Sequence, residues 1–210
     1  MLTLDQINTK KLMIICENLL FSHGAELQHY NSGDYVFKEE STPKYYLQIK
    51  TGTVKISSFL EDGKEFIHGI PFDGHCLAET YIFHNKKYAV SGVAITDCEI
   101  IRLEKNKFLQ LLLEKPELLL TMYSYTADRM RYRHITAAPF SFRDPITKLT
   151  LIMSHVKAHF GFEEQFSFVI PYTRQQLASL TGMRIETVIR AIKKMEQQNI
   201  VKIDNSKIYV

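Results

Sequence analysis

Only three cysteines occur in the 210 residues, Cys16, Cys76 and Cys98, far apart and odd in number. That pattern excludes a disulfide framework and suits a reducing compartment, where such residues serve as small buried groups. Nor do three cysteines supply the four thiolates of an iron-sulfur cluster. No stretch approaches the roughly 18 consecutive apolar residues of a membrane span. The opening MLTLDQINTKK also lacks the basic start and apolar core of a secretory signal. The chain is therefore expected in the cytoplasm, with no membrane partner. A disorder-like composition is missing too: 45% of residues are hydrophobic, enough for the cores of two small domains.

A strong overall charge is likewise absent, the formal net charge being +3. Its distribution is uneven. Residues 1–128 hold 13 Lys and Arg against 17 Asp and Glu, whereas residues 129–210 hold 13 against 6. The positive C-terminal end points towards phosphate contact.

Along the chain, apolar residues Ile7, Leu12, Ile15, Leu19 and Leu20 predict an amphipathic helix from Asp5 to about Phe21. From Ala25 the period changes. Runs at Leu27–Tyr30, Tyr35–Lys38, Tyr45–Lys50, Thr53–Leu60, Phe66–Ile70 and Tyr88–Thr96 are short and rich in β-branched and aromatic residues. Turn signals at Gly33, Gly52, Asp62-Gly63 and Asp73-Gly74 separate them. An antiparallel, jelly-roll-like barrel follows. After Cys98–Leu103 helical spacing returns, through Phe108 to Leu113 and then from Pro116, well suited to a helix start, to Ala138. In this long helix Leu120, Tyr123, Ala127, Met130, His134 and Ala137 recur in steps of three and four, as in a coiled-coil seam. The stripe predicts a partner helix from a second copy; packing onto the chain's own barrel is the alternative.

Pro139 to Asp144 reads as a hinge, Asp144-Pro145 as the start of a helix to about Phe160 ended by Gly161, and Phe166–Ile170 as a small strand. The stretch TRQQLASLTGMRIETVIRAIKKME, Thr173 to Glu196, reads as two helices joined by a glycine turn, a helix-turn-helix. Thr173 is a candidate N-cap. Ala178 allows the helices to cross closely, and Gly182 can take the positive φ of the turn. In the second helix, about 184–198, Val188, Ile192 and Met195 line one face while Glu186 and Arg190 lie on the other. Arginine fits the O6 and N7 acceptors of guanine, and a carboxylate accepts from the cytosine amino group. The same two residues also form an ordinary i, i+4 ion pair in many surface helices. A terminal hairpin, Ile200–Asp204 and Lys207–Val210, makes a wing whose Lys202 and Lys207 either touch phosphates or guard strand edges.

Thr173, Arg174, Leu177, Ala178, Gly182, Glu186, Thr187, Val188 and Arg190 stand in the register of the helix-turn-helix of the Crp/Fnr family of bacterial transcription regulators, which this chain resembles. The glycines at 33, 52, 63 and 74, with Gly52-Thr53-Val54-Lys55, resemble that family's β-roll sensor. The resemblance implies an α+β protein: an antiparallel β-roll sensor domain over 1–115, a dimerisation helix over 116–138 and a winged helix-turn-helix domain over 139–210. It implies a homodimer on a pseudo-palindromic operator in double-stranded DNA, with Glu186 and Arg190 reading a TGA core. Thr173, Arg174, Gln175, Arg184 and Thr187 then supply phosphate or flanking contacts, and RNA polymerase is a partner if the protein is an activator. Ile185 stands where the catabolite-activator branch has arginine, and Ile189 replaces a small residue, so the flanking base preferences carry over less well than the core.

In family members that bind cyclic nucleotides, a Gly-Glu pair precedes a loop ending in Arg-Ser, and the arginine meets the phosphate. Here the matching positions are Ala78-Glu79 and Tyr88-Ala89. Losing that arginine removes a charge-assisted bond of about 1.5–3 kcal/mol, and Lys86 and Lys87 lie nearby as substitutes without the planar fork. Glu79, Tyr88 and Ala89 therefore mark an effector pocket not expected to answer cyclic AMP. No cofactor is predicted, and the effector is undetermined. The eight histidines leave haem open without singling one out, and His155 and His159, i, i+4 on one helix, read as surface residues rather than a metal pair. Two other functions compete. A cupin-like enzyme would use His68, His75 and His84, which lack His-x-His spacing, and a protein-binding module would keep the fold without binding DNA.

Overall fold

Strand β3 (Tyr45–Thr51) explains the layering of the first half of the chain: Tyr46 and Gln48 alternate with Leu47 and Ile49, and all four are buried. A strand buried on both faces needs cover on both. In the computed structural model, which describes residues 13–141 and 144–210, β3 lies between β8 (Cys98–Glu104) and β6 (Cys76–Leu77), with β1 (Glu26–Tyr30) beyond β8. A second sheet is ordered β2 (Tyr35–Phe37), β7 (Ser91–Ala94), β4 (Val54–Phe59) and β5 (Glu65–Gly69). The pairings in both sheets are antiparallel. Leu47, Ile49 and Ile100 from the first sheet meet Phe37, Val54, Ile56 and Ala94 from the second in one core. A Cβ on Gly92 would stand 2.4 Å from the Phe37 ring, so only glycine at that point of β7 admits the ring to the core.

The other face of the first sheet is roofed by helices α1 (Glu17–Ser22), α2 (Lys105–Glu114) and α3 (Pro116–Ser141). Leu20, Phe108, Leu111 and Met122 pack there on Tyr46, Ile101 and Leu103, and the Tyr46 and Phe108 rings stack with centroids 4.0 Å apart. Each inward residue of α3, from Leu118 through Met122 and Tyr125 to Arg129, follows the last by three or four positions, so one stripe of the helix lies on the roll. The expected seam is a different stripe. Leu120, Tyr123 and Met130 are 73%, 75% and 56% exposed, and Ala127 and His134 are exposed as well; Ala137 lies outside the described side chains. Packing of that seam onto the chain's own barrel is thereby ruled out.

Contacts divide the chain into two units, one ending at Met130 and the other running from Arg131 to Val210. In the second, α4 (Pro145–His159) is capped by Asp144, whose carboxylate accepts from the Thr147 amide at 2.9 Å and its hydroxyl at 2.7 Å. Those bonds, hydroxyl first, hold the Asp144 carboxyl below its ordinary range. Leu149, Ile152, Met153 and Val156 of α4 are buried, as are Phe168, Leu177, Val188, Ile192, Met195 and Ile208. The chain ends in an antiparallel hairpin of β9 (Lys202–Asp204) and β10 (Lys207–Tyr209). Its two-residue turn holds both Asn205 and Ser206 at positive φ, the geometry that matches strand twist.

Several expectations are corrected. Residues 13–16 are not helical, and α1 starts only after Cys16; the earlier part of the expected helix falls on residues outside the description. The cause is a long-range clamp: the Gln48 amide donates to the Ile15 carbonyl at 2.8 Å and accepts from the Ile15 amide at 3.0 Å, taking the bonds a helix would use. The expected strand from Tyr88 shortens to Ser91–Ala94, because Tyr88 instead exchanges backbone bonds with Glu40 and Ser41. Helix α3 continues through Pro139 to Ser141; so close to the helix end, the one bond a proline removes does not break the run. Around Phe166 the chain turns at positive φ, and only Phe168–Ile170 pairs with the terminal hairpin.

Replacing Gln48 by leucine leaves the Ile15 amide and carbonyl buried without partners and should cost about 3 kcal/mol. Hydrogen exchange reports it directly: the Ile15 amide should lose its protection, and protection retained in the variant would remove the clamp from this account.

Candidate nucleic-acid interface and sensor interior

Helix α5 (Arg174–Thr181) starts in a capping box: Thr173 Oγ1 accepts from the Gln176 amide at 3.1 Å, and Gln176 Oε1 accepts from the Thr173 amide at 2.8 Å. Its end is Gly182 at φ 65°, as the sharp turn requires. Ala178, 2% exposed, sits in the crossing with α6 (Ile185–Gln197). Val188, Ala191, Ile192 and Met195 bury one face of α6. On the opposite face Glu186, Ile189, Arg190, Lys193 and Lys194 are exposed.

No ion pair within 4 Å joins Glu186 to Arg190 among the described residues. The carboxylate and the guanidinium therefore face outward with their hydrogen-bonding capacity unspent. Thr173, Gln175, Arg184 and Lys202 are exposed around them, and Arg174, Thr187 and Lys207 are half-buried. Arg174 has a second attachment, since its guanidinium donates to the Ser206 carbonyl in the wing turn at 3.1 Å. A guanidinium carries five donors, so this strut leaves most of them free.

Inside the roll, Ala78 holds a left-handed φ of 49° and ψ of 33° at the start of a 3-10 turn over Glu79–Phe83. A glycine-like backbone thus persists under an alanine, a strain of about 1–2 kcal/mol. Tyr88 is buried at 4% exposure, with its ring 4.4 Å from Phe37 and 5.1 Å from Tyr81. Burial, helped by Tyr81, pushes its phenol up to about 12, so the ring is neutral there. Ala89 is exposed, and its amide donates to the Tyr81 hydroxyl at 3.1 Å. Lys86 and Lys87 are exposed as well, Lys87 standing 3.5 Å from Glu40.

The cation near Glu79 comes from elsewhere. Arg129 of α3 places its Nε 3.7 Å from Oε1 of the buried Glu79 and donates to the Tyr125 hydroxyl at 3.0 Å. Tyr125 in turn donates to the Cys76 carbonyl at 3.2 Å. Burial opposes the charge of Arg129, yet the neighbouring Tyr125 and Glu79 raise its pKa above the usual arginine range. Burial raises the Cys76 thiol, which lies beside the Tyr46 hydroxyl at 2.9 Å, and it is not a reactive thiolate. Sequence reading missed Arg129, although a signal existed: it follows Tyr125 by four residues on the apolar face, where a charge demands a partner.

Among the described residues no group of three or more His, Cys, Asp and Glu is placed to hold a metal. His68 bonds Ser58 at 2.9 Å and His75 the Phe72 carbonyl at 3.0 Å, on separate parts of the roll. The side chain of His159 lies outside the described residues. No described helix is long and apolar enough to cross a membrane.

The described residues form a β-roll followed along the chain by a winged helix-turn-helix. Residues 27–115 match the cyclic nucleotide-binding domain and residues 149–210 the Crp-like helix-turn-helix domain. Among relatives, the cAMP-activated global transcriptional regulator CRP of Haemophilus influenzae is 29% identical over 82% of this chain and 77% of its own length. The nitrogen fixation regulation protein FixK of Bradyrhizobium diazoefficiens is 24% identical over 87% and 77%. Among solved structures, the c-di-GMP responsive regulator CLP of Xanthomonas campestris superposes with a TM-score of 0.77 at 18% identity, covering 92% of this chain and 96% of that one. The chain belongs to the Crp/Fnr family of transcription regulators, and it is a regulator rather than an enzyme.

Breaking the Glu79–Arg129 pair from one side leaves a buried charge alone, which costs about 3–5 kcal/mol in a fully buried pair. With the Arg129 side chain 24% exposed and the contact at 3.7 Å, about 1–3 kcal/mol is expected for Glu79→Gln after discounting for solvent. Arg129→Met in the Glu79→Gln background should restore part of that loss. A double-mutant cycle by urea unfolding measures it, and additive losses would show that the two groups do not interact.

Proposed function

We propose that this protein is a homodimeric regulator that reads a pseudo-palindromic operator through Glu186 and Arg190, independently of cyclic AMP. The observation that carries the reading is the outward, unpaired Glu186 and Arg190 on a helix whose opposite face is buried. In a major groove the guanidinium suits guanine O6 and N7, and the carboxylate suits the cytosine amino group. Thr173, Arg174, Gln175, Arg184, Thr187, Lys202 and Lys207 surround the pair as phosphate or flanking contacts. The working division is a sensor over 1–115, a dimerisation helix over 116–138 and a DNA-binding domain over 139–210. The protein acts in the cytoplasm, and RNA polymerase is its partner wherever it activates.

Independence from cyclic AMP rests on Tyr88, a buried neutral side chain at the position where the resemblance expects a phosphate-binding arginine, and on Glu79, 3.7 Å from Arg129. Effector identity is open in this reading. The relatives named for cyclic AMP and for c-di-GMP show no single ligand that this chain must share.

Binding of operator variants at two salt concentrations tests the base-reading assignment. Arg190→Ala should cost about 1–3 kcal/mol and relax the preference at one guanine. Arg174→Ala should weaken all duplexes alike and lower the salt slope by about one unit per subunit. Cyclic AMP should leave the wild-type curves where they are. An equal loss on every variant with Arg190→Ala would make that residue a structural or phosphate contact, and tighter binding with cyclic AMP would overturn the effector reading.

The homodimer follows from Leu120, Tyr123 and Met130, which stay in water without a partner helix, and two recognition helices then meet half-sites about 34–36 Å apart. Tyr123→Glu with Met130→Glu should yield monomers in sedimentation at micromolar concentration. A variant that still sediments as a dimer would place the interface elsewhere.

A further inference from the structure

Residues 13–16 belong to no strand or helix, yet Ile15 is 1% exposed. Among the described residues, the hydrogen bonds of this segment to the roll are the two with Gln48 and a long one of 3.4 Å from the Ile14 amide to the Gly74 carbonyl. Ile15, flanked by Met13 and Ile14, also packs in the cluster of Leu20, Cys76 and Met122. A segment with so few ties can open by itself while the roll stays folded. Its seat, however, is shared. Gln48 Oε1, which accepts from the Ile15 amide, also accepts from the Tyr46 hydroxyl at 2.6 Å, and that hydroxyl lies 2.9 Å from the Cys76 sulfur. With the hydroxyl proton given to Gln48, the Cys76 thiol donates to Tyr46.

Cys76, the cross-strand partner of Gln48, also carries the tie to the long helix. Its carbonyl accepts from Tyr125 at 3.2 Å, Tyr125 accepts from Arg129 at 3.0 Å, and Arg129 faces Glu79. A path of hydrogen bonds, passing through the backbone of Cys76, therefore joins Ile15 to α3, and Gln48, Tyr46, Cys76 and Glu79 along it are buried. In the low dielectric of a core such a path responds as a unit, because a group that loses one partner must find another or stay unsatisfied. Apolar contact runs beside it: Ile15, Met122 and Tyr125 share one cluster, so an Ile15 that leaves opens a gap in the packing under α3. Both connections end on the inward stripe of that helix.

We propose that residues 13–16 are a releasable latch on the dimer helix. Seated on Gln48, they hold Tyr125 and Arg129 in the rotation that turns Leu120, Tyr123 and Met130 outward; released, they loosen α3 and weaken its pairing with a second copy. The latch rests on the homodimer reading for its output and on none of the residues assigned to DNA. The coupling is reciprocal by linkage: pairing of two copies seats the segment more firmly, and a ligand that draws Ile15 off the roll favours monomers.

Two variants cut the path near its ends. Gln48→Leu removes the seat, and Tyr125→Phe removes one hydroxyl on α3 that bonds the Cys76 carbonyl rather than the segment. Ile56→Val trims the other core of the roll and controls for a general loss of stability. In the full-length protein, sedimentation should give a dimer dissociation constant at least about fivefold higher for Gln48→Leu and for Tyr125→Phe, the lower end of ordinary coupling between sites. Ile56→Val should leave it unchanged. Hydrogen exchange should show the Ile15 amide about fivefold less protected in Tyr125→Phe and unaltered in Ile56→Val. Combining Gln48→Leu with Tyr125→Phe should raise the dissociation constant no further than the worse single change, since both break one path. A Gln48→Leu protein with an unprotected Ile15 amide and unaltered dimerisation overturns the proposal, as does Tyr125→Phe with Ile15 protection untouched. Where Gln48→Leu folds poorly, Tyr125→Phe, which loses a single oxygen, carries both measurements. A wild type that sediments as a monomer at micromolar concentration would instead bring down the homodimer reading, and the output of the latch with it.

Discussion

A guanidinium placed against a protein core must keep a counter-charge, and that constraint orients the long helix. Arg129 shares the inward stripe of α3 with Leu118, Met122 and Tyr125, and its carboxylate, Glu79, sits on the 3-10 turn that follows β6. Apolar contacts alone tolerate a helix that rotates or slides by a fraction of a turn. A buried pair does not, because displacement leaves two desolvated charges unsatisfied. The Tyr125 hydroxyl bonded to the Cys76 carbonyl adds a second directional tie one turn away. Once α3 is held in that rotation, Leu120, Tyr123 and Met130 have no position except the outside. Which apolar side chains α3 exposes is therefore determined from within the roll.

The interior of the roll is filled by the chain's own side chains. Ala78 holds a left-handed backbone, and the 3-10 turn beyond it presents Glu79. What faces Glu79 is a cation of the same chain, and Tyr88 adds a ring to the core that holds Phe37, Leu47 and Ile100. A phosphate entering this space would have to displace the Tyr88 ring and draw Arg129 from Glu79. Both steps cost energy before any new bond forms, which favours the proposed independence from cyclic AMP. The Gln48 clamp on Ile15 serves the opposite side of the sheet in a similar way, satisfying backbone groups of a segment that no strand pairs.

Features set by local spacing were legible from the residues alone. The N-cap at Thr173, the positive φ at Gly182 and the buried run Val188, Ile192 and Met195 all follow from short-range rules, and each is found. Strand positions were legible for the same reason, since alternation and turn residues are local. The roles of Gln48 and Arg129 were not, because their partners, Ile15 and Glu79, lie 33 and 50 positions away and nothing in the intervening sequence announces them. Strand β6 has only two residues, too few for a period, and exists because β3 pairs with it. In the first helix the apolar spacing was real, but Ile15 used it to reach the core from a bend rather than from a helical turn.

Within the second unit, the residues that build the core and those that face outward overlap little. The core of α6 is apolar and buried, so its exposed face can be altered without loss of the fold. Arg174 is the exception. Its bond to the Ser206 carbonyl braces a wing turn in which Asn205 and Ser206 both hold unfavourable positive φ. The four donors left to it point the same side chain at any phosphate in reach. A phosphate drawn to Arg174 would thus meet a group already anchored to the wing, with less side-chain freedom left to lose than a lysine on a flexible stem. The same bond ties the turn of the wing to the start of α5.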